Sequence, residues 1–327
     1  MGGFVRVGLR LALPYLIALL LAGGVGEALG HSPVEAAWKA RLALLGHPRV
    51  GIWQDDDTLG WRHRASASGR ESKWLAYDVR YTTDAHGHRV TEGDYDRPKL
   101  LFVGGSFTFG HGVEDEEPFA ARLARAFPDH KVINAGVNGW GTAQALIEVE
   151  AELAQHDDVE LVLYGFIANH LHRNHRRRSW LEGIDRWGGR RNALFEQVGG
   201  ELRRQALAGP DDAIGDEDPE LARAEARVTR GLLERMHAVC ARHRVPFRIV
   251  HLPDGTDFPV LSRLAPELPR DVLHDLRSEI AYEEIRFRYD FHPTAEGHRR
   301  LAARMRVLVA QALAASPLVA WGRHESD

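Results

Sequence analysis

Four short stretches hold the residues best suited to chemistry. Ser106 stands in LLFVGGSFTFGHGV, just past the apolar run Leu100–Val103 and two glycines. A serine hydroxyl is a weak nucleophile until a neighbouring base takes its proton. The stretch YDFHPTAEGHRRLA, Tyr289–Ala302, carries Asp290 and His292, with Pro293 fixing a turn ahead of a helix. A histidine held by a carboxylate is the general base that a serine needs. The other two stretches offer donors for a developing oxyanion. NAGVNGWGT, Asn134–Thr142, exposes main-chain N–H groups at its glycines, with Gly139 the candidate donor. Asn169 follows the apolar run Val159–Ile167 and could donate from its side chain, and the Ser106 N–H is a third donor.

Each stretch also has a plainer reading. The glycines around Ser106 could form a phosphate-cradling turn, yet neither G-x-G-x-x-G nor G-x-x-x-x-G-K-[ST] is present. NAGVNGWGT could be an ordinary turn, Asn169 a loop residue, and His292 a capping or packing residue. His298, on the final helix, reads as structural or surface.

The elements around these residues alternate from Lys99 onward. KLLFVG, KVINAG, VELVLYGFI and PFRIVHL read as strands. Helices are predicted over Glu117–Phe127, from an N-cap at Thr142 through AQALIEVEAELAQH, from Asp218-Pro219 to about His243, and over about Thr294–Leu313. Apolar spacing and capping residues carry these assignments. Strands separated by such helices imply an α/β fold with a parallel sheet and helices on both faces. Ligands then sit outside the carboxyl ends of the strands, where Ser106 falls. Residues 31–97 read as an extension with short strands. An insertion is expected at about 170–217, where the basic HLHRNHRRRSW and the acidic PDDAIGDEDPE interrupt the alternation.

Taken in order, GGSFTFG, NAGVNGWGT, the Asn169 region and DFHPTAEGH resemble the four blocks of the SGNH/GDSL hydrolase family, over about Pro98–Leu313. The resemblance implies a three-layer α/β/α, flavodoxin-like fold. It also implies a catalytic triad of Ser106, His292 and Asp290, and an oxyanion hole from Ser106, Gly139 and Asn169. Three positions depart from the family pattern. Gly-Asp-Ser is Gly104-Gly105-Ser106 here, Asn-Asp is Asn169-His170, and Asp-x-x-His is Asp290-x-His292, with Tyr289 in the three-before place. The implied chemistry is acyl transfer to water or to a sugar hydroxyl, without metal or organic cofactor.

Next to Asn169, the run Ala168–Ser179 contains four Arg and three His. One reading is a solvated helix face. The other is recognition of an anionic substrate by Arg176, Arg177 and Arg178. The substrate expected is an ester-bearing carbohydrate or lipid. Three function classes follow: an exported esterase or deacetylase, an O-acyltransferase on a glycan, and a non-catalytic carbohydrate-binding protein.

At the N-terminus, Arg6 and Arg10 precede the uncharged run Leu11–Gly26, and Ala28-Leu29-Gly30 offers small residues for cleavage. This pattern predicts a signal peptide or membrane anchor over 1–30, and hence a periplasmic or other extracytoplasmic location. The hydrolase domain is expected over 98–316, with a tail at 317–327. The chain has 327 residues and a net charge of −4, which argues against a nucleic-acid partner. The single cysteine, Cys240, excludes an intrachain disulfide and reads as a small core residue, and no Cys/His spacing suggests zinc.

Overall fold

In a computed structural model, residues 51–73, 75–257 and 261–315 are described. The predicted leader or anchor, residues 31–50 of the extension and the tail at 317–327 lie outside the described residues. Among the described residues no helix is long and apolar enough to cross a membrane.

The extension forms two small two-stranded sheets. β1 (Trp53–Asp56) pairs antiparallel with β2 (Gly60–His63), and β3 (Ser68–Lys73) forms a second sheet with β4 (Tyr77–Thr82). The alternation then begins with β5 (Lys99–Gly104), α1 (Ser106–Phe109), α2 (Phe119–Ala126), β6 (Lys131–Gly136), α3 (Thr142–Gln155) and β7 (Val159–Phe166). The insertion supplies α4 (Asn169–Arg173), α5 (Arg178–Asp185) and the hairpin β8 (Phe195–Val198) and β9 (Glu201–Arg204). The chain closes with α6 (Leu221–Arg242), β10 (Phe247–His251), α7 (Leu261–Leu264), β11 (Leu273–Asp275) and α8 (Ala295–Ala315).

The central sheet has the order β11-β10-β7-β5-β6, with every pair parallel. Successive strand residues point to opposite faces, and here both faces are covered. Leu101, Val103, Ile133 and Ala135 pack with Leu146 and Val149 of α3 and with Leu232 and Met236 of α6. Leu100, Phe102 and Val132 pack with Leu123 of α2 and with Leu301 and Met305 of α8. Burial on both sides explains why these strands read as unbroken apolar runs. Cys240, on α6, is buried in the apolar core, and burial pushes its thiol up to about 12.

Helix starts differ slightly from expectation. Thr142 is the first residue of α3 rather than its cap, and Gly141 takes the cap position. The Thr142 hydroxyl instead accepts from Tyr164 Oη and Asn174 Nδ2, both at 2.9 Å. α6 begins at Leu221, and Asp218 caps from outside it by accepting the Glu220 N–H at 2.8 Å.

Candidate active site

Ser106 opens α1, two residues beyond the end of β5, so the strand's carboxyl end aims the hydroxyl out of the sheet. His292 arrives from the loop before α8. Its Nε2 lies 2.8 Å from Ser106 Oγ, and its Nδ1 lies 2.5 Å from Asp290 Oδ1. The same Asp290 oxygen accepts the His292 main-chain N–H at 2.8 Å. All three residues are buried, which strengthens each polar contact relative to water. With Nδ1–H given to the carboxylate, Nε2 has its lone pair on the serine hydroxyl. That is the arrangement in which a histidine can take the proton of an attacking serine.

Gly139 lies on the turn after β6, with φ +85°. A Cβ there would stand 2.9 Å from Trp187, 3.0 Å from Trp61 and 3.4 Å from Trp180. The left-handed backbone and the three indoles together demand glycine. Asn169, at the start of α4, is exposed, and its side chain makes no hydrogen bond among the described residues. Its neighbour His170 turns inward. His170 Nδ1 lies 2.7 Å from Tyr164 Oη, and burial holds the ring well below its ordinary pKa.

Arg176, Arg177 and Arg178 have acidic partners within the protein. Arg176 pairs with Glu196 at 2.7 Å. Arg177 grips buried Glu225 with two hydrogen bonds, 2.7 and 2.9 Å, and also reaches Asp216. Arg178 is half-exposed and meets Glu182 only at 3.8 Å. The basic and acidic stretches of the insertion therefore pair with one another. Ile214 N–H donates to Arg176 O and Arg178 N–H to Ile214 O.

Several residues at the site were not singled out from the sequence. The His111 ring lies 4.2 Å from the His292 ring, tilted by 48°, and is held by Tyr77 Oη and Asn138 Nδ2, each at 2.6 Å. Its place five residues after Ser106, in the same glycine-rich stretch, was an available signal. Arg173 is buried, with its guanidinium over Trp180 and Nη1 donating to Trp140 O. It has no carboxylate partner among the described residues, and burial lowers its pKa to about 10. The approach of these aromatic and cationic groups depends on the extension and insertion folding against the sheet, which no local pattern encodes.

A parallel α/β sheet with a serine, histidine and aspartate chained at its carboxyl edge defines a serine hydrolase acting on ester bonds. The chain belongs to the GDSL-like lipase/acylhydrolase family, whose model matches residues 102–300. Similar solved structures include the psychrotrophic esterase EstA from Pseudoalteromonas sp., 14% identical over 66% of this chain and 98% of that one, with a TM-score of 0.43. TesA is 17% identical over 66% and 99%, with a TM-score of 0.34. AlinE4, an SGNH-hydrolase family esterase, is 20% identical over 68% and 99%, with a TM-score of 0.31. No curated protein matches the chain.

Proposed function

We propose that the protein is an exported serine esterase that removes ester-linked acyl groups, O-acetyl among them, from an envelope carbohydrate or lipid. The observation that carries the catalytic reading is the continuous chain from Ser106 Oγ through His292 to Asp290. His292 takes the Ser106 proton as Oγ attacks the ester carbonyl. The N–H groups of Ser106 and Gly139 and the Asn169 side chain hold the oxyanion. His292 then returns the proton to the leaving alcohol, and water repeats the sequence to free Ser106. Asp290 holds the imidazole orientation and steadies its positive charge.

Export rests on the leader pattern of residues 1–30. The test is hydrolysis of p-nitrophenyl acetate and of an O-acetylated polysaccharide by the full-length chain, beside Ser106→Ala and His292→Ala. Turnover of both substrates, lost in both variants, is expected. Hydrolysis indifferent to Ser106 would overturn the catalytic reading. Acyl groups passed to an added glycan in place of water would make the protein an O-acyltransferase instead.

A further inference from the structure

Away from Ser106, the extension and α3 enclose a second polar cluster. His88 Nε2 lies 3.2 Å from Glu148 Oε1 and 3.4 Å from Glu152 Oε1, and all three residues are buried. Glu148 and Glu152 are one turn apart on the same face of α3. The tautomer of His88 follows from the groups behind it. Tyr95 Oη gives its one proton to Asp84 Oδ2 at 2.7 Å, and His88 Nδ1 lies 3.2 Å from Tyr95 Oη. Burial beside Asp84 keeps Tyr95 a phenol by raising its pKa. Nδ1 must therefore donate, and the Nε2 lone pair of a neutral His88 faces two carboxylates.

Lone pair against carboxylate is repulsive unless something positive lies between them. A proton on Nε2 is one answer. It would leave one cation against Glu148 and Glu152, with Asp84 a further anion nearby. Charge-assisted N–H···O bonds run about 2.7–2.9 Å, shorter than both contacts. A second answer fits the two distances from His88 to the carboxylates better. Ligand atoms about 2.0–2.1 Å from a tetrahedral zinc stand about 3.3 Å from one another. One neutral imidazole, two carboxylates and a divalent cation sum to zero charge, as a buried site favours. Independently, Glu152 Oε2 is buried without a hydrogen-bond partner, and Glu152 is only 6% exposed. The His88–Tyr95–Asp84 relay is also the kind of support that metal-bound histidines use to fix their ring.

We propose that His88, Glu148 and Glu152 bind a divalent transition ion of the zinc type, with water as the fourth ligand. The groups around the cluster are Asp84 and Tyr95 behind His88, Arg62 near Glu152, and His156 one turn further along α3, 3.8 Å from Glu152 Oε2. The ion is structural. It pins His88, and with it the next residue, to α3. Arg89 uses that anchorage to hold the carbonyls of Phe109, Gly110 and Val113, just past the Ser106 helix. The ligands come from two distant segments, so no local spacing reveals them.

The test is made on the full-length chain stripped with EDTA and given one equivalent of zinc. One zinc per chain retained through gel filtration is expected, with a rise in Tm of about 5 °C at saturating metal. Cobalt in its place should give the intense visible bands of a tetrahedral site. Glu148→Gln and Glu152→Gln should each abolish retention and the Tm rise. Cobalt bands in the unaltered protein keep the proposal testable even if a variant folds poorly. The proposal is overturned if the unaltered protein retains no zinc, or if both variants retain it. It is equally overturned if retention depends on His111, because His111, Asp290 and His292 form another potential ligand group.

Discussion

One carboxylate oxygen of Asp290 accepts both the main-chain N–H and the ring Nδ1–H of His292. This double contact brings a carboxylate from two positions before the histidine onto its ring. The main-chain bond fixes the turn, and the turn delivers the carboxylate to the ring. Asp290→Asn should therefore lower kcat by about 10³–10⁴-fold while leaving the fold intact, because the amide stabilises the wrong tautomer. Tyr289→Phe should leave kcat within about twofold of the parent. A loss under tenfold for Asp290→Asn, read by steady-state kinetics on p-nitrophenyl acetate, would remove Asp290 from the site.

The other two departures from the family pattern meet in space. A Cβ on Gly105 would stand 2.8 Å from His170 Nε2, 3.1 Å from Trp140 O and 3.2 Å from Arg173 Nη1. His170 thus occupies room that a side chain at 105 would need. Gly105→Ala should destabilise the protein by about 1–3 kcal/mol through overpacking. Adding His170→Ala should recover part of that loss, a coupling that a double-mutant cycle in urea would measure. Strict additivity of the two changes would mean that the residues do not compete.

The arginines of the insertion divide by partner. Removing Arg177 leaves Glu225 buried without its guanidinium, so Arg177→Ala should cost about 2–3 kcal/mol of stability. Arg178 has only a distant partner, so Arg178→Ala should be nearly silent in stability. If the run recognises an anionic substrate, Arg178→Ala is the variant that should raise KM for an anionic ester relative to a neutral one. Equal KM values for both esters in parent and variant would leave the arginines a purely structural role.

Stability should fall in mild acid through His298. Burial lowers its pKa to about 3, and its Nδ1 accepts the Phe119 N–H at 3.2 Å. An unfolded chain protonates this ring below about pH 6.5. Between about pH 6.5 and 3 the unfolded state therefore binds the extra proton, and stability drops as pH falls. The cost from this one group should reach about 2 kcal/mol by pH 5. Urea midpoints compared at pH 7 and pH 5 should fall less for His298→Asn than for the parent. Identical falls would show that other groups carry the acid sensitivity.

The sequence by itself determined the βα alternation and the parallel sheet. Strands buried on both faces must be apolar throughout, and runs such as Leu100–Val103 and Val159–Ile167 state this directly. It also placed Ser106, Gly139, Asn169 and His292 at strand ends or turns, because glycines and a proline mark where the chain must bend. Only the tertiary structure decided what those residues meet. Whether Asp290 could reach His292 from two positions away was a matter of turn geometry. The pairing of Arg177 with Glu225, the contact of the His111 and His292 rings and the approach of three tryptophans to Gly139 all join segments far apart in sequence. So does the facing of His88 with Glu148 and Glu152. Local patterns report which face of an element is buried, whereas the partner across a contact is chosen by how whole elements pack, and that choice is made by the fold.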